Sequence, residues 1–320
     1  LREVIAQKTS RLYQCDYDKD AEITVTSGAT EALMAALLAS VHNGDEVIVI
    51  DPCYDSYVPG IRLAGGVPVR IPMTPPNGPA DSFSIDWERL ASAITSKTRV
   101  IILNFPHNPT GAVLDGDDLD QLEQLVAGTD ILLISDEVYE HIVFVPQGHL
   151  SLASRPKLAE RTFVISSFGK TTHTTGWKVG YCCAPKSMTA EFRKIHQFLV
   201  FTVPSPFQYA LAQYTRDAST YEALPDFYRA KRDRLKRGLA NTRFTAYDCP
   251  GTFFMLADYS SIADIPEKEF SIWLTQTHGV TVIPVSAFYA NTDDESSNHQ
   301  LVRFCFAKSD DMLDAAIDKL

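Results

Sequence analysis

A lysine and an aspartate stand just after apolar, strand-like segments, where their charged groups could do chemistry. Lys170 comes shortly after residues 162–166 (TFVIS), and Asp136 comes shortly after residues 131–134 (ILLI). An amine at the end of a buried strand is either an ion-pair partner or a desolvated nucleophile with a lowered pKa. A carboxylate at the edge of a core is costly unless it meets a cation or a hydrogen-bond donor. The two residues therefore form either a structural ion pair or part of a reactive site.

A second cation lies inside an apolar segment near the end of the chain. Arg303 belongs to residues 301–307 (LVRFCFA), and strand alternation places it on the same face as Leu301 and Cys305. A guanidinium in such surroundings needs a planar anion, most naturally a carboxylate. Arg303 is thus a candidate for binding a carboxylate ligand, with a structural salt bridge as the alternative.

A possible anion site follows the first apolar segment. Gly28, Ala29 and Thr30 open a predicted helix directly after residues 22–26 (EITVT). The free N–H groups and the positive dipole at such a helix start favour a phosphate. A tight turn capped by a local hydroxyl is the alternative. A nucleotide-binding P-loop is excluded because Val164 stands where its motif requires glycine, and no GxGxxG motif is present.

The elements that must position these residues alternate between strands and helices up to about residue 204. The pattern predicts strands at 22–26, 46–50, 67–71, 99–103, 131–134, 162–166 and 178–184, and helices at 30–41, 87–94 and 117–126. Strands joined by crossover helices form a mainly parallel sheet with helices on both faces. Because ligands bind beyond the carboxyl ends of such strands, we expect the polar clusters there to converge on one site.

The pattern changes after residue 204. It predicts helices at 206–217, 223–239, 268–277 and 310–320, and strands at 252–256, 281–283 and 301–306. We interpret this part as a smaller α+β domain entered along a connecting helix. The predicted fold class is α/β, with a mainly parallel seven-stranded sheet flanked by helices and a small C-terminal domain. The predicted domains are residues 1–233 and 234–320.

Composition and charge exclude several classes of function. The chain has 320 residues and a formal net charge of −11, which disfavours nucleic acid and anionic membranes as partners. Its six cysteines form no CxxC pair and suit a reduced, cytoplasmic protein. No apolar stretch is long enough to span a membrane. The eight histidines show no HExxH spacing, so no metal site is predicted. The basic segment 228–237 is interpreted as the solvated side of an amphipathic helix.

Taken together, the clusters resemble the fold type I, class I and II aminotransferases, which depend on pyridoxal 5′-phosphate (PLP). The matching strings are TSGATEAL (26–33), DPCYDSY (51–57), NFPHNPTG (104–111), SDEVYEH (135–141), SSFGKTTHTTGWKVGY (166–181) and LVRFCFA (301–307). They occur in the family's order along essentially the whole chain. The resemblance is closest to the branch of methionine, kynurenine and glutamine-phenylpyruvate aminotransferases.

The resemblance implies a role for each matching residue. Lys170 corresponds to the Schiff-base lysine, and Asp136 to the partner of the pyridine nitrogen. Tyr139 and Asn108 correspond to donors to the phenolic oxygen, and Tyr54 to the aromatic side chain stacked on the ring. The implied catalytic residues are Lys170, Asp136 and Tyr139; the remaining implied cofactor contacts are Gly28, Ala29, Thr30, Tyr54, Asn108, Ser167 and Lys178, the phosphate being held by the residues at 28–30, Ser167 and Lys178. Arg303 and Asn108 correspond to the residues that bind the substrate α-carboxylate. His107 and His173 lie inside the motifs and are expected near the substrate.

The implied reaction is ping-pong transamination between an L-amino acid and a 2-oxo acid. No second arginine is placed for a dicarboxylate, so a neutral, sulfur-containing or aromatic amino acid such as methionine is expected. Two alternatives share the same motifs: a cysteine-conjugate or cystathionine β-lyase, and the ligand-sensing domain of a transcription regulator.

The resemblance also implies a homodimer and a longer chain. Relatives carry an N-terminal arm and a substrate-closing segment before the helix that starts with LREVIAQK (1–8), so we expect this sequence to be a fragment that lacks them. We expect the segment at 201–203 to reach the active site of the neighbouring subunit.

Overall fold

Seven strands form the sheet that positions the candidate site. The computed structural model describes residues 1–290 and 298–320. The strands are β1 (Ile23–Thr26), β2 (Glu46–Asp51), β3 (Val67–Pro72), β4 (Thr98–Asn104), β5 (Leu132–Asp136), β6 (Thr162–Ser167) and β7 (Gly180–Cys183). Their order in the sheet is β1-β7-β6-β5-β4-β2-β3. The central strands are buried on both faces, which explains their continuous apolar sequences.

The predicted mainly parallel seven-stranded sheet is confirmed. Strands β2 to β6 run parallel, whereas β7 runs antiparallel to both β1 and β6. The predicted strand at 178–184 begins two residues late, at Gly180. Lys178 has a left-handed backbone with φ of 52°, which an extended strand cannot contain. The parallel arrangement brings the ends of β4, β5 and β6 to one edge.

Helices cover both faces of this sheet and continue into the C-terminal region. They are α1 (Arg2–Tyr13), α2 (Gly28–Ser40), α3 (Tyr57–Leu63), α4 (Trp87–Ser92), α5 (Gly116–Val126), α6 (Pro156–Ala159), α7 (Phe168–Thr171), α8 (Lys186–Leu199), α9 (Ser205–Tyr214), α10 (Ser219–Glu222), α11 (Leu224–Leu239), α12 (Glu267–His278) and α13 (Asp310–Ile317). Sequence reasoning missed α3 and α8. Phe192 of α8 packs into the core between α2 and the sheet.

The C-terminal region contains a second, smaller sheet. Its antiparallel strands are β8 (Thr245–Ala246), β9 (Phe254–Asp258), β10 (Ile283–Pro284) and β11 (Leu301–Cys305), in the order β10-β11-β9-β8. The predicted strand at 252–256 begins at Phe254 because Thr252 has a φ of 66°. The proposed division after residue 233 falls inside α11 and stays a prediction. No helix among the described residues is long and apolar enough to cross a membrane.

Candidate active site

A cavity of about 300 Å³ lies at the carboxyl ends of β4, β5 and β6. All the residues to which the resemblance assigned a catalytic, cofactor or carboxylate contact line it: Gly28, Ala29, Thr30, Tyr54, Asn108, Asp136, Tyr139, Ser167, Lys170, Lys178 and Arg303. Asn104, Gly169, Thr175 and Phe254 also line the cavity and were not assigned. The parallel sheet collects the first set from distant parts of the chain, and β11 adds Arg303 from the smaller sheet.

Lys170 lies in the single turn of α7, directly after β6. Its Nζ atom is 5.7 Å from the ring centroid of Tyr139 and 5.5 Å from that of Phe253. Burial lowers the pKa of this amine, and the charge of Asp136 opposes the shift. Within the described residues, Lys170 forms no ion pair shorter than 4 Å. The structural pairing of Lys170 with Asp136 is therefore absent from this part of the chain, and the amine faces the cavity.

Neutral donors hold Asp136 in place. The Tyr57 hydroxyl donates to Oδ2 at 2.7 Å, and the backbone N–H of Val138 donates to Oδ1 at 3.3 Å. Asn104 fixes the backbone by donating from Nδ2 to the carbonyl oxygen of Asp136 at 2.9 Å. Burial raises the pKa of Asp136 to about 6, although both donors oppose this shift. At neutral pH the carboxylate is ionised, and a cation in the cavity would stabilise it further.

Tyr57 contacts the candidate site through Asp136, and sequence reasoning missed it. Its side chain is buried, and its hydroxyl is committed to Asp136. The signal was present in the DPCYDSY string, where Tyr57 follows Tyr54 by three residues. The two rings meet edge to face, with centroids 5.6 Å apart. This short segment thus supplies Tyr54 to the cavity and Tyr57 to Asp136.

The start of α2 lines one part of the cavity with groups that could bind an anion. Ser27, which precedes the helix, makes no side-chain cap hydrogen bond, so the first N–H groups of α2 lack a capping side chain. Gly28 has a φ of +72°, and a Cβ atom there would lie 3.3 Å from Nζ of Lys178. A Cβ atom on Gly180 would lie 2.8 Å from the backbone N of Ala29. Both glycines therefore allow β7 and Lys178 to approach the helix start closely.

Arg303 projects from β11 between two aromatic rings. Its Cζ atom is 3.8 Å from the ring centroid of Phe254 and 4.8 Å from that of Phe288. Nη1 donates to Oδ1 of Asn108, and the buried Nε atom has no hydrogen-bond partner among the described residues. Arg303 forms no salt bridge in this part of the chain, contrary to the structural alternative. The guanidinium is oriented but retains unused donors, as a binding site for a carboxylate requires.

His107 and His173, which the sequence analysis expected near the substrate, are not among the described residues that line the cavity. His107 is 1% exposed, its Nδ1 lies 2.7 Å from Oγ1 of Thr110, and burial lowers its pKa to about 3. His173 is exposed, with Nδ1 3.2 Å from the Tyr228 hydroxyl. In residues 1–290 and 298–320, no cluster of three His, Cys, Asp or Glu side chains could hold a metal ion.

Comparison with known proteins shows the family of this chain. The family model described as "Aminotransferase class I and II" matches residues 1–320. The methionine aminotransferase of Escherichia coli is 51% identical over 100% of this chain and 81% of its own length. The crystal structure of YbdL from Escherichia coli, reported with a methionine aminotransferase function, superposes with a TM-score of 0.95 and 51% identity, covering 99% of this chain and 81% of that one. Human kynurenine–oxoglutarate transaminase 3 is 38% identical over 96% of this chain and 72% of its own length.

The resemblance found in the sequence is therefore confirmed over the full length of the chain, together with its fold and its cofactor class. The chain belongs to the class I and II aminotransferases, and it is a PLP-dependent enzyme that transfers amino groups between amino acids and 2-oxo acids.

Proposed function

We propose that this enzyme transaminates methionine or another neutral, sulfur-containing or aromatic L-amino acid, using Lys170 as its catalytic amine. One observation carries the proposal: Lys170, Asp136 and Arg303 line a single cavity, and among the described residues none of the three forms an ion pair with another side chain. An amine, an anionic partner for a ring nitrogen and a guanidinium for a carboxylate are the groups that PLP-dependent transamination requires.

The residues present fit PLP. The start of α2, Ser167 and Lys178 suit a phosphate, because they offer N–H and hydroxyl donors beside a positive charge. Asp136 suits a protonated ring nitrogen, because a nearby cation would stabilise its buried carboxylate. Tyr54 offers a ring face for stacking. Asn108 and Tyr139 offer donors to the phenolic oxygen.

Lys170 has the properties of a proton carrier. When bound, PLP supplies an electrophilic carbon for the amino group and a protonated ring that withdraws electrons from the substrate Cα. The lowered pKa of Lys170 keeps a larger fraction of this amine neutral, so that it can take the proton from Cα and return it on the other side of the reaction. The amine lies close to the aromatic rings of Tyr139 and Phe253.

Arg303 and Asn108 would orient the substrate. Two donors of Arg303 that point to one carboxylate fix both the position and the plane of that group. A fixed α-carboxylate sets the direction of the Cα–H bond relative to the ring, which is what proton removal requires. The hydrogen bond between Arg303 and Asn108 couples the substrate contact to the cofactor contact.

The lining of the cavity supports a substrate without a second carboxylate. Among the described lining residues, Arg303 is the only arginine. The unassigned lining residues include apolar and aromatic side chains such as Leu33, Val138 and Phe254, and none of the unassigned lining residues among those described carries a charge. The similarity to a methionine aminotransferase at 51% identity favours a sulfur-containing donor.

An amino-donor screen tests this proposal. Purified protein loaded with PLP is incubated with methionine, phenylalanine, kynurenine, aspartate or glutamate and a fixed 2-oxo acid, and both the new oxo acid and ammonia are measured. We expect the neutral donors to react faster than the two dicarboxylic acids, with one oxo acid formed for each acceptor consumed. A preference for aspartate would contradict the substrate class, and ammonia release without acceptor would point to the β-lyase.

We also propose a homodimer. Three aromatic side chains in α8, α9 and the segment between them are largely exposed: Phe198 at 85%, Phe201 at 75% and Tyr209 at 80%. Such a group of exposed rings favours a protein interface. Sedimentation of the wild type against Phe198→Ser tests it: we expect a dimer for the wild type and a weakened dimer for the variant. A wild-type monomer at micromolar concentration would contradict the proposal.

A cytoplasmic location is proposed from the cysteines. All six are free, and four of them are buried. Free, buried thiols suit a reducing compartment. Cell fractionation of the tagged protein, with cytoplasmic and secreted markers as controls, tests this location.

A further inference from the structure

A charged pair outside the cavity holds the backbone of Phe288. Nε of Arg70 donates to both carboxylate oxygens of Asp51, at 2.9 and 2.6 Å, and Nη2 donates to the carbonyl oxygen of Phe288 at 2.9 Å. The backbone N–H of Cys53 donates to the same carbonyl at 3.0 Å. The Asp51 side chain is 8% exposed and that of Arg70 is 19% exposed. We call Asp51 and Arg70 the Asp51–Arg70 clasp.

The clasp joins two parts of the molecule that both reach the active site. Asp51 ends β2 and Arg70 lies in β3, at the edge of the large sheet. Phe288 lies far along the chain, in the short helical turn Val285–Phe288 beside the smaller sheet. Cys53 directly precedes Tyr54, which lines the cavity. The carbonyl of Phe288 is therefore fixed against the segment that carries the aromatic residue of the cofactor site.

The ring of Phe288 continues this connection to Arg303. It lies 4.8 Å from the guanidinium carbon of Arg303, whereas the ring of Phe254 lies 3.8 Å from the same atom. The guanidinium has one side-chain hydrogen bond, to Asn108, and Nε has no partner within the described part of the chain. With so few polar contacts, the two rings restrict the plane of the guanidinium. A shift of the Phe288 ring would change the direction in which the free N–H donors of Arg303 point.

We propose that Asp51 and Arg70 are positioning residues for substrate recognition, which act through Phe288 to orient Arg303 toward the substrate carboxylate. The inference rests on the proposed function of Arg303. Arginine suits this task better than lysine, because its fork bonds Asp51 through one nitrogen and Phe288 through another. A lysine would keep the charge pair with Asp51 but could not hold both partners in this geometry.

The test separates positioning from stability by measuring two affinities for each variant, one with its holoenzyme and one with its apoprotein. The first is the Kd of 4-(methylthio)butanoate, the unreactive desamino analogue of methionine, measured by calorimetry; 3-phenylpropionate is the probe if the donor screen favours an aromatic amino acid. The second is the Kd of PLP for the apoprotein. We expect R70K and Phe288→Leu to bind the carboxylate analogue at least fivefold more weakly than wild type. Their affinity for PLP should stay within twofold of wild type.

The matched control is Arg161→Met. Arg161 also bonds backbone carbonyls, those of Thr129 at 2.8 Å and Ile131 at 3.0 Å, and it is not among the described residues that line the cavity. We expect both affinities to stay within twofold of wild type in this variant. Analogue binding by R70K that equals wild type would overturn the proposal, as would equal losses of analogue and PLP affinity. If Arg303→Ala leaves analogue binding unchanged, the proposed function of Arg303 fails instead.

Discussion

Two groups of cations in this molecule have opposite surroundings. The first lies on α11, which contains the basic segment 228–237. Most of its cations are paired with nearby carboxylates: Lys231 lies 2.8 Å from Asp310, and Arg234 lies 2.6 Å from Asp314. The apolar side of the same helix enters the core through residues such as Leu235. The interpretation as a solvated face of an amphipathic helix agrees with this arrangement.

The second group lines the cavity and lacks such partners. Lys170, Lys178 and Arg303 have no carboxylate within 4 Å in the described part of the chain, and burial lowers the pKa of both Lys170 and Arg303. Exposed ion pairs contribute little to stability, whereas a buried cation without a partner is costly and persists where a ligand uses it. The cavity cations therefore differ from the paired cations of α11 in their local partners rather than in residue type.

The largest expected effect is that of Lys170→Ala. This substitution removes the proposed catalytic amine, so borohydride should no longer attach the cofactor covalently to the protein. We expect kcat to fall by a factor on the order of 10⁴, because both the covalent and the proton-transfer roles disappear. Mass spectrometry after reduction measures the trapping. Lys194→Ala is the control, since Lys194 is an exposed residue paired with Glu191; cofactor trapped in the Lys170 variant would show that another lysine carries it.

Arg303→Ala should have the next largest effect. Loss of a buried contact to a carboxylate should lower kcat/KM for the amino donor, mainly through a higher KM. The expected rise in the activation free energy for kcat/KM is about 2 to 4 kcal/mol. Arg303→Lys should fall between wild type and alanine, because it keeps the charge without the planar fork. Steady-state kinetics with the best donor measures both variants. An unchanged kcat/KM would remove Arg303 from substrate binding.

Tyr57→Phe should shift the pH dependence of cofactor binding. The Tyr57 hydroxyl lowers the pKa of Asp136, so its removal should raise that pKa above about 6. Glu137 raises the same pKa and Lys170 lowers it, and both remain in the variant. The proposed contact to the ring nitrogen needs ionised Asp136. As the pH falls, the variant should therefore lose PLP affinity at a higher pH than wild type does. A lost hydrogen bond to a charged group predicts a shift of about one pH unit.

The apoprotein gives an independent check of the sign. The pKa of Asp136 in the folded chain lies above its ordinary value of 3.8, so ionisation reduces folding stability as the pH rises through about 6. In Tyr57→Phe this loss should move to higher pH. Tyr259→Phe is the control, because it also removes a buried hydrogen bond, from the Tyr259 hydroxyl to the carbonyl of Ile265 at 2.7 Å. Equal pH profiles in wild type and Tyr57→Phe would exclude the tuning role.

The sequence predicted the large sheet well because its strands are continuous apolar segments between polar turns. The errors occurred where the backbone leaves the extended region, at Lys178 and Thr252, both of which have positive φ. Residue type alone does not reveal such conformations, because neither lysine nor threonine favours them. Helix α8 was missed although its buried positions, including Phe192 and His196, follow helical spacing. The charged and polar residues between these positions made the helical spacing difficult to recognise in the sequence.

The site residues were predictable where the motifs name them and not where contact is made across the chain. Asp136 and Lys170 follow strands of one parallel sheet, so topology places them together. The contact of Tyr57 with Asp136 spans 79 positions, and that of Arg70 with Phe288 spans 218. Such contacts depend on side-chain packing in three dimensions, which no local spacing encodes. His107 shows the opposite case, since it belongs to a motif but is buried outside the cavity lining among the described residues.

Arg234→Ala should have the smallest effect. It tests the paired cations of α11, as Lys170→Ala and Arg303→Ala test the cations of the cavity. Arg234 is half-exposed, and its contacts with Asp310 and Asp314 lie on the surface of α11. Because solvent screens these charges and no cavity residue depends on them, kcat/KM and PLP affinity should change by less than about twofold. Steady-state kinetics and cofactor titration measure both quantities. A loss comparable to that of Arg303→Ala would show that paired surface cations also serve the active site, and local pairing would then no longer separate the two groups.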